Sequence, residues 1–131
     1  KKNFKLYKLD RVPYVDLVEG AKSRLVVGEK VLISFIEMEP NMFFPLHTHE
    51  SEQVMIVIEG SITEFLGDEK VLLKKGDAVV IGSGLQHGGK VSEEGCKAID
   101  IFVPPREDYI NKLKALESSK SPLNFEGTEN V

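Results

Sequence analysis

The chain carries three histidines, and all of them fall in two short stretches. His47 and His49 lie in HTHESEQVMIVIEG, residues 47–60, and His87 lies in GDAVVIGSGLQHGG, residues 76–89. Neutral imidazole is the commonest side-chain ligand for metals. Side chains two apart in an extended segment point to the same face, so His47 and His49 can both present a ring nitrogen to one point. His87 follows a second strand signal. The pattern is a metal site made from strands, not the i, i+4 spacing of a helix.

A second group of chemical side chains lies in AIDIFVPPREDY, residues 98–109. Alternation places Ala98, Asp100 and Phe102 on one face, opposite Ile99, Ile101 and Val103. Asp100 then faces either a lumen, where it could move protons, or solvent. Arg106 follows the Pro104-Pro105 turn. It either reaches a substrate carboxylate with a bidentate fork or pairs with Glu107 or Asp108 at the surface. Weaker signals fade. GSG at 82–84 has no helix after it to cradle a phosphate, Ser83 lacks the turn of a nucleophile, and Cys96 reads as a core residue. Met42, Phe43 and Phe44 read as core or lumen lining.

Strands must position these residues. Short extended candidates run over residues 4–8, 14–18, 22–27, 30–38, 42–49, 53–59, 61–66, 69–73, 78–81 and 96–103. Gly60 ends one of them, and Gly67-Asp68 is a hairpin turn signal between two others. Residues 30–38 are apolar on both alternating sets, so a second sheet or a partner subunit covers each face. Many short strands with Gly and Pro between them predict an all-β sandwich or barrel. Beyond Pro104-Pro105 the period changes. Tyr109, Leu113 and Leu116 form one apolar stripe, with Glu107 and Asp108 at the start and Lys112 and Lys114 further on. This predicts an amphipathic helix over about 106–117. Residues 118–131 read as a tail.

At 131 residues the chain is expected to form one domain. Its 41% hydrophobic and 29% charged residues are ordinary for a globular protein, and a net charge of −4 argues against a nucleic-acid surface. One cysteine excludes an intrachain disulfide, and neither a signal peptide nor a membrane span is legible. A cytoplasmic location and a homodimer are the expectations.

The two histidine stretches resemble the paired motifs of the cupin superfamily. The first motif is His-x-His, three or four residues, an acid or glutamine, six residues and glycine. It falls on His47, His49, Gln53 and Gly60. The second falls on Gly76, Gly84 and His87, with Gly82 where proline is usual and Val91 where asparagine is usual. The resemblance spans about residues 30–103. It implies a double-stranded β-helix, or jelly-roll barrel, with the C-terminal helix lying on it. It also implies one divalent transition metal ion (Zn, Ni, Fe, Mn or Co) held by His47, His49, Gln53 and His87. Glu52 competes with Gln53 as fourth ligand, but a one-residue shift in a strand turns the side chain to the other face. Three neutral imidazoles and an amide oxygen would leave the ion its full charge and make it a strong Lewis acid.

The C-terminal constellation is similar to that of the uronate ring-opening cupins of pectin and alginate breakdown. Their Asp-x-Phe-x-x-x-Arg pattern falls on Asp100, Phe102 and Arg106, which with Gln53 are the catalytic residues the resemblance implies. The implied activity is a non-redox isomerase or lyase acting on a small carboxylated, sugar-like molecule. The same ligand set resembles that of polyketide cyclases. An Fe-dependent cupin dioxygenase and a non-catalytic sugar-binding cupin are the alternatives.

Overall fold

The computed structural model describes residues 3–119 and 128–129. In chain order the elements are β1 (Leu6–Tyr7), a 3-10 turn (Leu9–Arg11), β2 (Val15–Val18), β3 (Ala21–Val27), β4 (Leu32–Met38) and β5 (Phe43–His47). They continue with β6 (Glu52–Leu66), β7 (Glu69–Lys74), β8 (Ala78–Ile81), β9 (His87–Val103), α1 (Glu107–Ser118) and β10 (Thr128–Glu129).

Two long strands organise the barrel. The first half of β6 pairs with the last half of β9, from Glu52↔Val103 to Gly60↔Cys96, and its second half pairs with the first half of β9, ending at Leu66↔His87. The first of these ladders is widened by β4, β3 and β2 on one side and by β8 on the other. The second is widened by β5 and β7. All these pairings are antiparallel. Leu32, Ile36, Met55, Val57 and Phe102 from the first ladder pack in one core with Ile62, Leu73 and Val91 from the second. This is the predicted all-β jelly-roll with a C-terminal helix.

Several boundaries differ from expectation, for identifiable reasons. Gly60 does not end a strand. It sits at register shifts inside the continuous β6, at φ 73°, and a β-carbon there would overlap the carbonyl oxygen of Gly95. The inserted residue changes which parity faces inward. Gln53, Met55 and Val57 are buried before it, and Ile62 and Glu64 after it. Likewise β9 starts at His87, not at residue 96, because Gly88 and Gly89 are paired strand residues with backbone or side chains pressed against them. On β4, Leu32, Ser34, Ile36 and Met38 are buried, whereas Ile33 and Phe35 are only half-buried, so one face lacks the cover expected for both.

The helix starts one residue later than predicted, with Arg106 at its N-cap. Tyr109 and Leu113 are buried and Leu116 packs on the core, as the stripe required. Its last turn holds no basic residue. Residues 118 and 119 end the helix, so the predicted tail begins slightly later; most of it lies outside the described residues.

Candidate metal centre

Strand register brings two of the three histidines together, and a turn brings the third. His47 is the last residue of β5, His87 is the first of β9, and the two are cross-strand partners. His49 lies beyond the end of β5, so strand alternation does not place it. The turn after β5 does. There the Gly84 N–H donates to the His49 carbonyl at 2.9 Å, and Ser51 Oγ donates to the Pro104 carbonyl at 2.5 Å. One ring nitrogen from each histidine lies within 4.8 Å of the others. Two ligands about 2.1 Å from a common ion can be at most about 4.2 Å apart, so the widest pair must close by roughly half an ångström.

Each ring is oriented by a backbone carbonyl. His47 Nδ1 bonds Pro45 O at 2.8 Å, His49 Nδ1 bonds Ser51 O at 2.9 Å, and His87 Nδ1 bonds Leu85 O at 2.8 Å. A carbonyl can only accept, so Nδ1 carries the proton and each Nε2 presents a lone pair. Burial holds His47 below its ordinary pKa and pushes His87 down to about 4, so His87 is neutral at pH 7.

Gln53 completes the cluster. It is buried on β6 opposite Phe102, whereas Glu52 is exposed, as alternation required. Its Oε1 lies 3.0 Å from His49 Nε2 and 3.1 Å from His87 Nε2. Its Nε2 donates to Asp100 Oδ1 at 2.9 Å, which fixes the amide with oxygen toward the rings. An acceptor oxygen facing two acceptor nitrogens is repulsive unless a positive charge lies among them. Such convergent lone pairs suit a divalent transition ion, and the residues present fit one.

Around the cluster, the sequence candidates fall as follows. Asp100 faces the lumen, not solvent, at 6% exposure, and burial raises its carboxyl to about 7 against the lowering effect of the Gln53 hydrogen bond and Arg106. Arg106 pairs with Asp108, as one of the two expectations had it. Its Nε and Nη2 donate to Asp108 at 3.1 and 2.6 Å, while Nη1 donates to Tyr109 Oη at 3.0 Å and approaches His47 Nε2 at 3.5 Å. Asp108 therefore braces one edge of the guanidinium and leaves Nη1 turned to the cavity. Phe102 is fully buried and packs edge-on to His49 and to Tyr109, with Arg106 over its face at 5.3 Å. Phe44 lines the cavity, but Phe43 does not: it is 62% exposed and stacks on Phe65. Cys96 is buried and pushed up to about 12, an inert core thiol.

Glu64 was not singled out in the sequence. It is buried and lines the same cavity as His47, Gln53, His87, Asp100 and Arg106. Alternation from Ile62 would have placed it inward. A groove formed by Thr48, His49, Ser51 and Pro104 to Asp108 opens beside the cluster, and Arg106 lines both it and the cavity.

An antiparallel barrel with this centre on paired strand ends defines a cupin. Residues 34–102 match the cupin domain family, and the chain belongs to it. Over 103 residues it is 28% identical to the pectin degradation protein KdgF of Dickeya dadantii, covering 77% of this chain and 94% of that protein. Among solved structures, KdgF from Halomonas sp. superposes with a TM-score of 0.73 at 24% identity, over 79% of this chain and 96% of that one. The polyketide cyclase RemF from Streptomyces resistomycificus gives 0.66 at 22%, over 76% and 78%.

Proposed function

We propose that the protein is a metal-dependent, non-redox isomerase that opens the ring of an unsaturated uronate. The observation that carries this reading is the Gln53 amide, held between two imidazole nitrogens and Asp100. That arrangement couples a metal ligand directly to a buried proton acceptor. The similarity to the pectin degradation protein supplies the substrate class. His47, His49, Gln53 and His87 would hold a divalent ion. When bound, it would supply Lewis-acid polarisation of a substrate hydroxyl.

The chain's own residues do the rest. Arg106 Nη1, braced by Asp108 and Tyr109, meets the substrate carboxylate. Asp100, whose pKa sits near neutrality, accepts the hemiacetal proton. The bond between the ring oxygen and the anomeric carbon then breaks. An aldehyde forms at one end, and the ring oxygen leaves with the bonding pair as an enolate. Protonation of the vinylic carbon from Asp100 gives the ketone, so all atoms and electrons stay in the product. Phe102 keeps the Arg106 and His49 side chains in place.

The test is loss of the conjugated double bond of an unsaturated galacturonate, followed by absorbance and NMR. Turnover without oxygen uptake is expected. Oxygen uptake would favour the dioxygenase, and metal-dependent binding without conversion would favour a sugar-binding cupin.

A homodimer belongs to the same proposal. The outer face of the β4–β9–β6 sheet carries Ile33, Phe35, Val54, Ile56, Ile99 and Ile101 as cross-strand neighbours, all only half-buried. A patch of this kind marks an interface. Arg24 and Lys97 share this side of the sheet with Glu37 and Glu59. Mixed charge of that kind is self-complementary about a twofold axis, so the occupant is a second copy. With its single cysteine free, the proposal places the protein in the cytoplasm.

A further inference from the structure

Glu64 is the one buried group of the cavity that the mechanism above leaves idle. It is 4% exposed, projects from β6 and lines the cavity. No hydrogen bond or ion pair engages its carboxyl among the described residues. Leaving a carboxyl buried without a partner is costly, and the fold nonetheless makes room for it. Oε2 lies 2.5 Å from where a β-carbon on Gly89 would be, so glycine at that position of β9 is what lets the side chain lie in the lumen. The nearest other titratable groups of the cavity are Asp100, His47, His87, Arg106 and Tyr109, from β9, β5 and α1. None of them neutralises it.

We propose that Glu64 is a substrate-contacting, specificity-determining residue. Its carboxyl hydrogen-bonds a hydroxyl group of the bound molecule in the cavity that it lines together with Arg106. A hydroxyl both donates and accepts, so it matches this carboxyl in either protonation state. The ligand this selects is polyhydroxylated: a carboxylate for Arg106, an oxygen pair for the metal centre, and a further hydroxyl for Glu64. A keto acid lacking that hydroxyl makes no contact with this carboxyl and so gains nothing from it, whereas the hydroxylated ligand does. The inference rests on the uronate reading and refines it from a carboxylated molecule to one that also offers Glu64 a hydroxyl.

Two variants of the metal-loaded protein test it. Glu64→Gln keeps donor and acceptor capacity; Glu64→Met keeps the unbranched shape and removes both. With D-galacturonate as probe in calorimetry, Glu64→Gln should bind within about threefold of the unaltered protein and Glu64→Met about tenfold more weakly. Pyruvate, which has the carboxylate but no such hydroxyl, should bind all three equally, and metal affinity should not change. Equal galacturonate affinity in Glu64→Met, or an equal loss for pyruvate, would overturn the proposal. If the unaltered protein binds no uronate, the substrate reading fails, and Glu64 is then judged by thermal unfolding. A residue retained for a ligand costs stability, so Glu64→Met should raise Tm. A lowered Tm would show that Glu64 serves the fold, and would overturn the proposal.

Discussion

The chemistry of this cupin turns on which atoms carry protons. Backbone carbonyls hold all three rings with Nδ1–H outward and Nε2 inward, and Asp100 holds Gln53 with its oxygen inward. Asp100→Ala therefore does two things: it removes the proposed proton acceptor and frees the amide to flip its N–H toward the rings. Turnover should fall by about a hundredfold or more, with a measurable loss of metal affinity as well. Arg106→Ala should raise KM for a uronate about tenfold, and Arg106→Lys should not restore it, because lysine cannot span Asp108 and the cavity together. Glu64 gives a pH signature. Burial, reinforced by Asp100, raises its carboxyl from the ordinary 4.5 to about 8. The folded state of the metal-free protein thus keeps a proton that the unfolded chain releases. Its stability should fall as pH rises from about 4.5 through about 8, and denaturant melts of Glu64→Gln should show a shallower fall, what remains coming from Asp100, whose carboxyl burial also raises. The chemical residues His47, His87, Asp100 and Arg106 were legible in the sequence because type and spacing announced them. Glu64 was not, because an isolated glutamate in a strand looks like a solvent-facing charge until the parity of that strand is known.

At the scale of elements, the site depends on where strand parity changes. Alternation put Asp100 and Phe102 on one face and the motif put Gln53 in the site, and the structure turns all three inward. Alternation could not carry Glu64 there from Gln53, because the bulge at Gly60 intervenes. Motif spacing made Gly60 visible as a residue but gave no sign that the strand runs through it, since glycine more often punctuates strands than bends them. Gly60→Ala would combine a left-handed backbone with overlap on Gly95, and should cost about 2 kcal/mol or more in chemical denaturation. His49 offers the converse lesson. The His-x-His spacing was right for the site, yet a turn and not a strand delivers the second ring, held by the Gly84 and Ser51 contacts.

For the whole molecule, the barrel class and the C-terminal helix followed from turn spacing and the Tyr109–Leu113–Leu116 stripe, whereas the way β6 and β9 each serve two ladders depends on long-range pairing that no local pattern encodes. The same sheet that delivers Asp100 inward presents Ile99 and Ile101 outward, so the proposed proton acceptor and the proposed pairing surface share strand β9. Ile99→Glu should convert a dimer to monomer in light scattering while leaving metal binding intact; a monomer before substitution would contradict the pairing.

The central claim is that His47, His49, His87 and Gln53 gather one transition ion. Elemental analysis of purified, reloaded protein tests it most directly. We predict one ion per chain, lost in His47→Ala and in His87→Ala. An unaltered protein that holds no stoichiometric ion after reloading, or variants that keep it, would contradict the claim.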